Sequence, residues 1–95
     1  MTTAHAAITI DDSQVRVTTW TFTVAGDSTG PHRHEYDYVV VPVTGGQLEV
    51  TTPDGERREL VQQAGVPYRG SAGTEHTVTA GGDTAVTFVE IEIKG

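Results

Sequence analysis

Apolar and polar residues alternate along much of the chain, and no segment sustains a helical period. Val15 and Val17 are apolar at odd positions, whereas Trp20, Phe22 and Val24 are apolar at even ones. Successive side chains of a strand point to opposite faces, so this pattern reads as strands buried on one side. The phase changes near Thr18 and Thr19, where a β-bulge or a bend between sheets is expected. The closing segment behaves alike: Val86 and Phe88 are even, Val89, Ile91 and Ile93 are odd, and Glu90 and Glu92 fall on a solvent face. A strand that changes its apolar face serves its own core and then a second sheet or subunit. Val39, Val40 and Val41 are apolar on both faces and predict cover on both sides.

Breaks come at short intervals: residues 26–31, Gly45-Gly46, Pro53-Asp54-Gly55, Gly65, residues 70–73 and Gly81-Gly82. Strands at such spacing predict an all-β sandwich or barrel. Pro53-Asp54-Gly55, set between residues 47–51 and 56–61, predicts a hairpin turn. The 95 residues, with no linker or repeat, fit a single domain over 1–95. A chain this small buries a modest share of its surface, so association into a homodimer would add stability.

Composition narrows the field. There is no cysteine, hence no disulfide, thiol nucleophile or thiolate ligand, as suits a cytoplasmic protein. The first residues lack the basic start and apolar stretch of a signal peptide, and no run approaches the roughly 20 apolar residues of a membrane span. A net charge of −7 repels phosphate backbones and argues against nucleic acid as partner.

Candidate chemistry concentrates in residues 26–38, GDSTGPHRHEYDY. His32 and His34, two apart on a strand, project from one face, and neutral imidazole is a common ligand for transition metals. By itself the pair also fits a solvated strand. Trp20 and Phe22 read as core or pocket wall, Glu35 and Tyr36 as a solvated loop, Arg57-Arg58 as a hairpin face, Glu75 as outward and His5 as a frayed terminus. Arg69 fits either a surface ion pair or a bidentate anchor for a carboxylate.

The spacing resembles the cupin superfamily, small jelly-roll barrels built as a double-stranded β-helix. Its first motif is matched over 26–45: Gly26, five residues, His32-Arg33-His34, three residues, Tyr38, six residues, Gly45. Its second is matched over 65–80: Gly65, five residues, Ser71-Ala72-Gly73, two residues, His76, three residues, Ala80. Tyr38 stands where the family has an acidic ligand, Ser71 where it has proline and Ala80 where it has asparagine. The resemblance implies three metal ligands, His32, His34 and His76, with Tyr38 at the fourth position as phenolate ligand, as a hydrogen-bond partner of bound water, or as packing. Asp37 could reach the ion instead if a bulge interrupts the strand. A three-histidine set resembles the iron site of thiol dioxygenases and also suits other divalent transition metals (Fe, Zn, Ni, Mn or Cu).

Residues 32–46 resemble, more closely, a subgroup of small bacterial cupins, some described as β-alanine degradation proteins. The implied function is a metal-dependent enzyme, a dioxygenase, isomerase or lyase of cupin type, acting on a small carboxylate or oxygenated metabolite. Tyr38 would then orient water or donate a proton, and Arg69 would anchor the substrate. The alternative is a non-catalytic module that binds a small molecule or metal. Cupins commonly pair sheet to sheet, which again implies a homodimer.

Overall fold

A computed structural model describes residues 2–82 and 84–95. Its strands are β1 (His5–Asp11), β2 (Val15–Phe22), β3 (His32–Arg33), β4 (Asp37–Pro42), β5 (Gly46–Thr51), β6 (Arg57–Gln62), β7 (Tyr68–Gly70), β8 (Glu75–Ala80) and β9 (Val86–Ile93). No helix occurs among the described residues, so none is long and apolar enough to cross a membrane. The strands form two antiparallel sheets, ordered β1-β2-β9-β4-β7 and β3-β8-β5-β6. The core lies between them. Phe22, Tyr38, Val40, Val86 and Phe88 from the first sheet meet Leu48, Val50, Val78 and Ala80 from the second.

The predicted hairpin is present. Thr51 pairs with Arg57, and Gly55 closes the turn at φ 88°, a left-handed conformation that favours glycine. The predicted phase changes are not. β2 pairs with β9 without interruption from Val15–Ile93 to Phe22–Val86, and β4 with β9 from Asp37–Ile93 to Pro42–Phe88. One phase therefore runs through all of β9, and its even residues, Val86, Phe88, Glu90 and Glu92, are all buried. The irregularity sits one strand over: the β1–β2 register shifts between Ile8 and Ile10, leaving Thr9 as the extra residue. His5, expected to be frayed, is a β1 residue opposite Thr21.

The single phase sends the odd residues outward. Val17, Ile91 and Val39 are register neighbours across β2, β9 and β4, as are Thr19, Val89 and Val41, and the valines and isoleucine of these rows are half-buried. The apolar residues that seemed to mark a change of face thus form the outer surface of the five-stranded sheet.

Candidate metal centre

Residues 26–31 run along β8 before the chain enters β3. Gly26 N–H donates to the Ala80 carbonyl (3.1 Å), Ala80 N–H to that of Asp27 (2.8 Å), and Thr29 N–H to that of Val78 (2.9 Å). Asp27 braces this turn by accepting from Thr23 N–H at 2.7 Å. β3 then pairs with β8 so that His32 faces His76, and His34 follows on the same face. The nitrogens converge: His34 Nε2 is 3.2 Å from His32 Nε2 and 3.1 Å from His76 Nε2. All three lie within 4.8 Å of one another.

The hydrogen bonds around His32 choose its tautomer. Nδ1 lies 3.0 Å from the Gly30 carbonyl and 3.2 Å from Thr29 Oγ1. A ring nitrogen against a carbonyl must carry the proton, so Nε2 presents its lone pair inward. Burial, helped by the neighbouring His32, pushes His34 and His76 down to about 4, so both are neutral at neutral pH. Ring nitrogens whose lone pairs aim at one point repel one another unless a cation or proton sits between them. Two nitrogens held about 2.1 Å from one ion are about 3.0–3.4 Å apart for angles between square and tetrahedral. The observed 3.2 and 3.1 Å separations match, so the donor set fits a divalent metal.

Tyr38 is buried and stacks on His34, with centroids 3.9 Å apart and planes 18° from parallel. Burial, then the nearby Glu90, pushes its phenol above the ordinary value, which favours the protonated form. Asp37 faces the other way. It is exposed, and its carboxylate accepts from Ala72 N–H at 2.9 Å; the unbroken β4–β9 register removes the bulge that would have turned it toward the ion.

His32 and His76 form part of the wall of a cavity of about 300 Å³, and His34 lies behind it, under the Tyr38 ring. Val40, Val50, Leu60, Val78, Phe88, Trp20 and Tyr68 supply apolar wall, and Tyr68 is tied by its hydroxyl to Gln62 Oε1 at 3.2 Å. Arg69 borders this space, but it is exposed and pairs with Val39, an outward-facing residue. Arg58, expected to be an ordinary hairpin residue, also lines the cavity, opposite Val50.

The chief surprise is acidic. Glu90 and Glu92, expected in solvent, are only 8% and 6% exposed. Glu92 is answered by Arg16 through a bidentate pair, Nε to Oε1 at 2.9 Å and Nη2 to Oε2 at 2.6 Å. Glu90 lines the cavity with its Oε1 3.9 Å from His34 Nε2, and burial followed by the charge of Glu92 raises it to about 7. Alternation could have revealed both, since their even positions continue the phase of Val86 and Phe88. The aliphatic residues between them hid that signal.

No family model matches the chain. The β-alanine degradation protein BauB of Pseudomonas aeruginosa is 46% identical over 91 residues, 96% of this chain and 94% of that protein. A cupin domain from Bordetella pertussis Tohama I superimposes with a TM-score of 0.92 at 45% identity, covering 99% of this chain and 96% of that one. The chain belongs to the cupin superfamily. A double-stranded β-helix protein from Klebsiella pneumoniae, at TM-score 0.78 and 18% identity, covering 98% of this chain and 78% of that one, shares the cupin fold alone. In this cupin the strand pairing brings the histidines of both motifs together, those of the first lying in β3 and the loop after it, that of the second in β8.

Proposed function

We propose that this cupin binds a divalent transition metal through His32, His34 and His76 and is an enzyme acting on a small carboxylate. The observation that carries the reading is the convergence of three imidazole nitrogens, two of them from residues that line a cavity with much apolar wall. When bound, the ion would supply a Lewis acid with positions open to water or substrate. The chain's own residues supply the remainder. Arg58 is the cation suited to a substrate carboxylate, with Arg69 at the rim as a second. Tyr38 holds the His34 ring and keeps a protonated hydroxyl able to orient water or donate a proton. Trp20, Val40 and Phe88 limit the water that reaches the site.

The name of the Pseudomonas relative directs the choice of substrates to β-alanine and small carboxylates of its size, in keeping with a cavity at the small end of ligand sites. The cysteine-free composition suits a reducing cytoplasm, and the apolar outer face of the five-stranded sheet suits pairing with a second copy.

Elemental analysis of the untagged protein tests the reading. About one transition metal per chain, lost on changing His32, His34 and His76 to alanine, is expected, with turnover of a small carboxylate that a chelator abolishes. Metal uptake without turnover across a broad carboxylate panel would leave a binding module. A chain that takes up none of Fe, Zn, Ni, Mn or Cu would sink the metal centre.

A further inference from the structure

The charges around the histidine cluster do not balance. Three neutral imidazoles leave the full double charge of a divalent ion inside a largely apolar chamber, where an unanswered charge is costly. In that same chamber stands a carboxylate with no cation of its own. Arg16 is committed to Glu92 by two hydrogen bonds. Among the described residues, the one ion-pair neighbour of Glu90 within 4.0 Å is His34 itself.

We infer that Glu90 is the fourth protein ligand of the metal centre, a carboxylate delivered from β9. The inference rests on the metal reading above and concerns how the ion is held. The register makes the delivery possible: Glu90 lies beside Val40 of β4 and Thr18 of β2, inward on the central strand of its sheet. It faces the β3–β8 pair that carries His32 and His76 across the barrel. It borders both the main cavity and a second one, of about 260 Å³, whose walls also include His32 and His34. Its Oε1 stands 3.9 Å from His34 Nε2, and donor atoms sharing one ion lie about 3.0–3.4 Å apart, so the approach still needed on that side is about 0.5–0.9 Å. The carboxylate is not yet among the donor atoms that lie within 4.8 Å of one another, so rotation about its own side-chain bonds completes the set. Glu92, one inward position along β9, cannot substitute without giving up Arg16.

Cobalt(II) titration of the full chain, followed by its visible absorption, decides the matter, because the bands report the donor set independently of any turnover. In the wild type, binding that is lost in His34→Ala is expected. Glu90→Gln, nearly the same in shape, is expected to weaken cobalt binding by about tenfold or more and to shift the bands. Glu90→Asp keeps the charge on a shorter arm; it should recover part of the affinity, and it carries the test should the glutamine variant fail to fold. Unchanged affinity and bands in the Glu90 variants, beside a His34→Ala chain that no longer binds, would overturn the inference and leave the histidine site standing. Weaker binding with unchanged bands would overturn it too, making Glu90 a nearby charge rather than a ligand. A wild type with no histidine-dependent uptake would remove the metal reading, and this inference with it.

Discussion

Tyr38 keeps its place against His34 because the residue beside it has no side chain. Gly70 is its register partner on β7, and a β-carbon there would overlap the tyrosine ring and hydroxyl. Gly70→Ala should therefore push the ring off His34 and cost about 1–3 kcal/mol by overpacking. In a Tyr38→Leu background the same change should cost markedly less. Urea denaturation of the four chains gives the coupling, and a cost that is equal in both backgrounds would refute this account. Acid should act on the metal-free chain through His34 and His76, each near 6.5 when unfolded and about 4 when folded. Between those values the unfolded chain binds more protons, so their contribution is complete above about pH 6.5 and is lost as pH falls toward 4. Glu90 has the opposite sign. It moves from 4.5 to about 7 on folding, so its contribution is full below 4.5 and fades as pH rises through 7. Two histidines against one glutamate predict that stability climbs by about 1.4 kcal/mol per pH unit between 4.5 and 6.5. Glu90→Gln should roughly double that slope, which denaturation across the pH range would show.

Where the sequence misled, it did so at the level of a strand. The turns of the second sheet were legible because proline, aspartate and glycine carry their conformational preferences with them; Pro53-Asp54-Gly55 is one case. The histidines were legible because motif spacing survives barrel closure. β9 was not, because Val86 to Ile93 offers two competing alternations, and hydrophobicity alone prefers the valine and isoleucine set to the one holding Glu90 and Glu92. What decides between them is the partner strand. Arg16 lies opposite Glu92 in the β2–β9 register, and their paired charges make the acidic position tolerable inside. That pairing spans 76 residues of sequence, beyond any local pattern. The consequence is measurable. Arg16→Met strands the Glu92 carboxylate and should cost about 1–3 kcal/mol, the arginine being partly solvated. Arg16→Met combined with Glu92→Met should recover most of that loss, since an apolar pair of similar volume replaces a buried ion pair at little cost. Urea midpoints that place the double variant as low as Arg16→Met would show that the ion pair is not what admits Glu92.

At the scale of the whole molecule, the two alternations of β9 have two destinations. The even residues close the barrel and furnish its site, and the odd ones form a ridge flanked by Val15 and Val17 of β2 and Val39 and Val41 of β4. Ile93 is 41% exposed and its aliphatic neighbours are half-buried, a contiguous apolar face on a chain that otherwise carries a net charge of −7. Such a face seldom stays in water. In the proposed homodimer it would meet the same face of a second copy across a two-fold axis, with β9 near the centre of each sheet, so one lysine there would be buried twice. Ile91→Lys should convert a dimer to a monomer in sedimentation velocity runs at micromolar concentration. Ile91 points away from the cavity, so the variant should keep the cobalt affinity and spectrum of the wild type. A wild type that sediments as a monomer would assign the face to a different partner. A variant that dissociates and also loses its metal would mean that pairing, and not the barrel alone, holds the histidines in place.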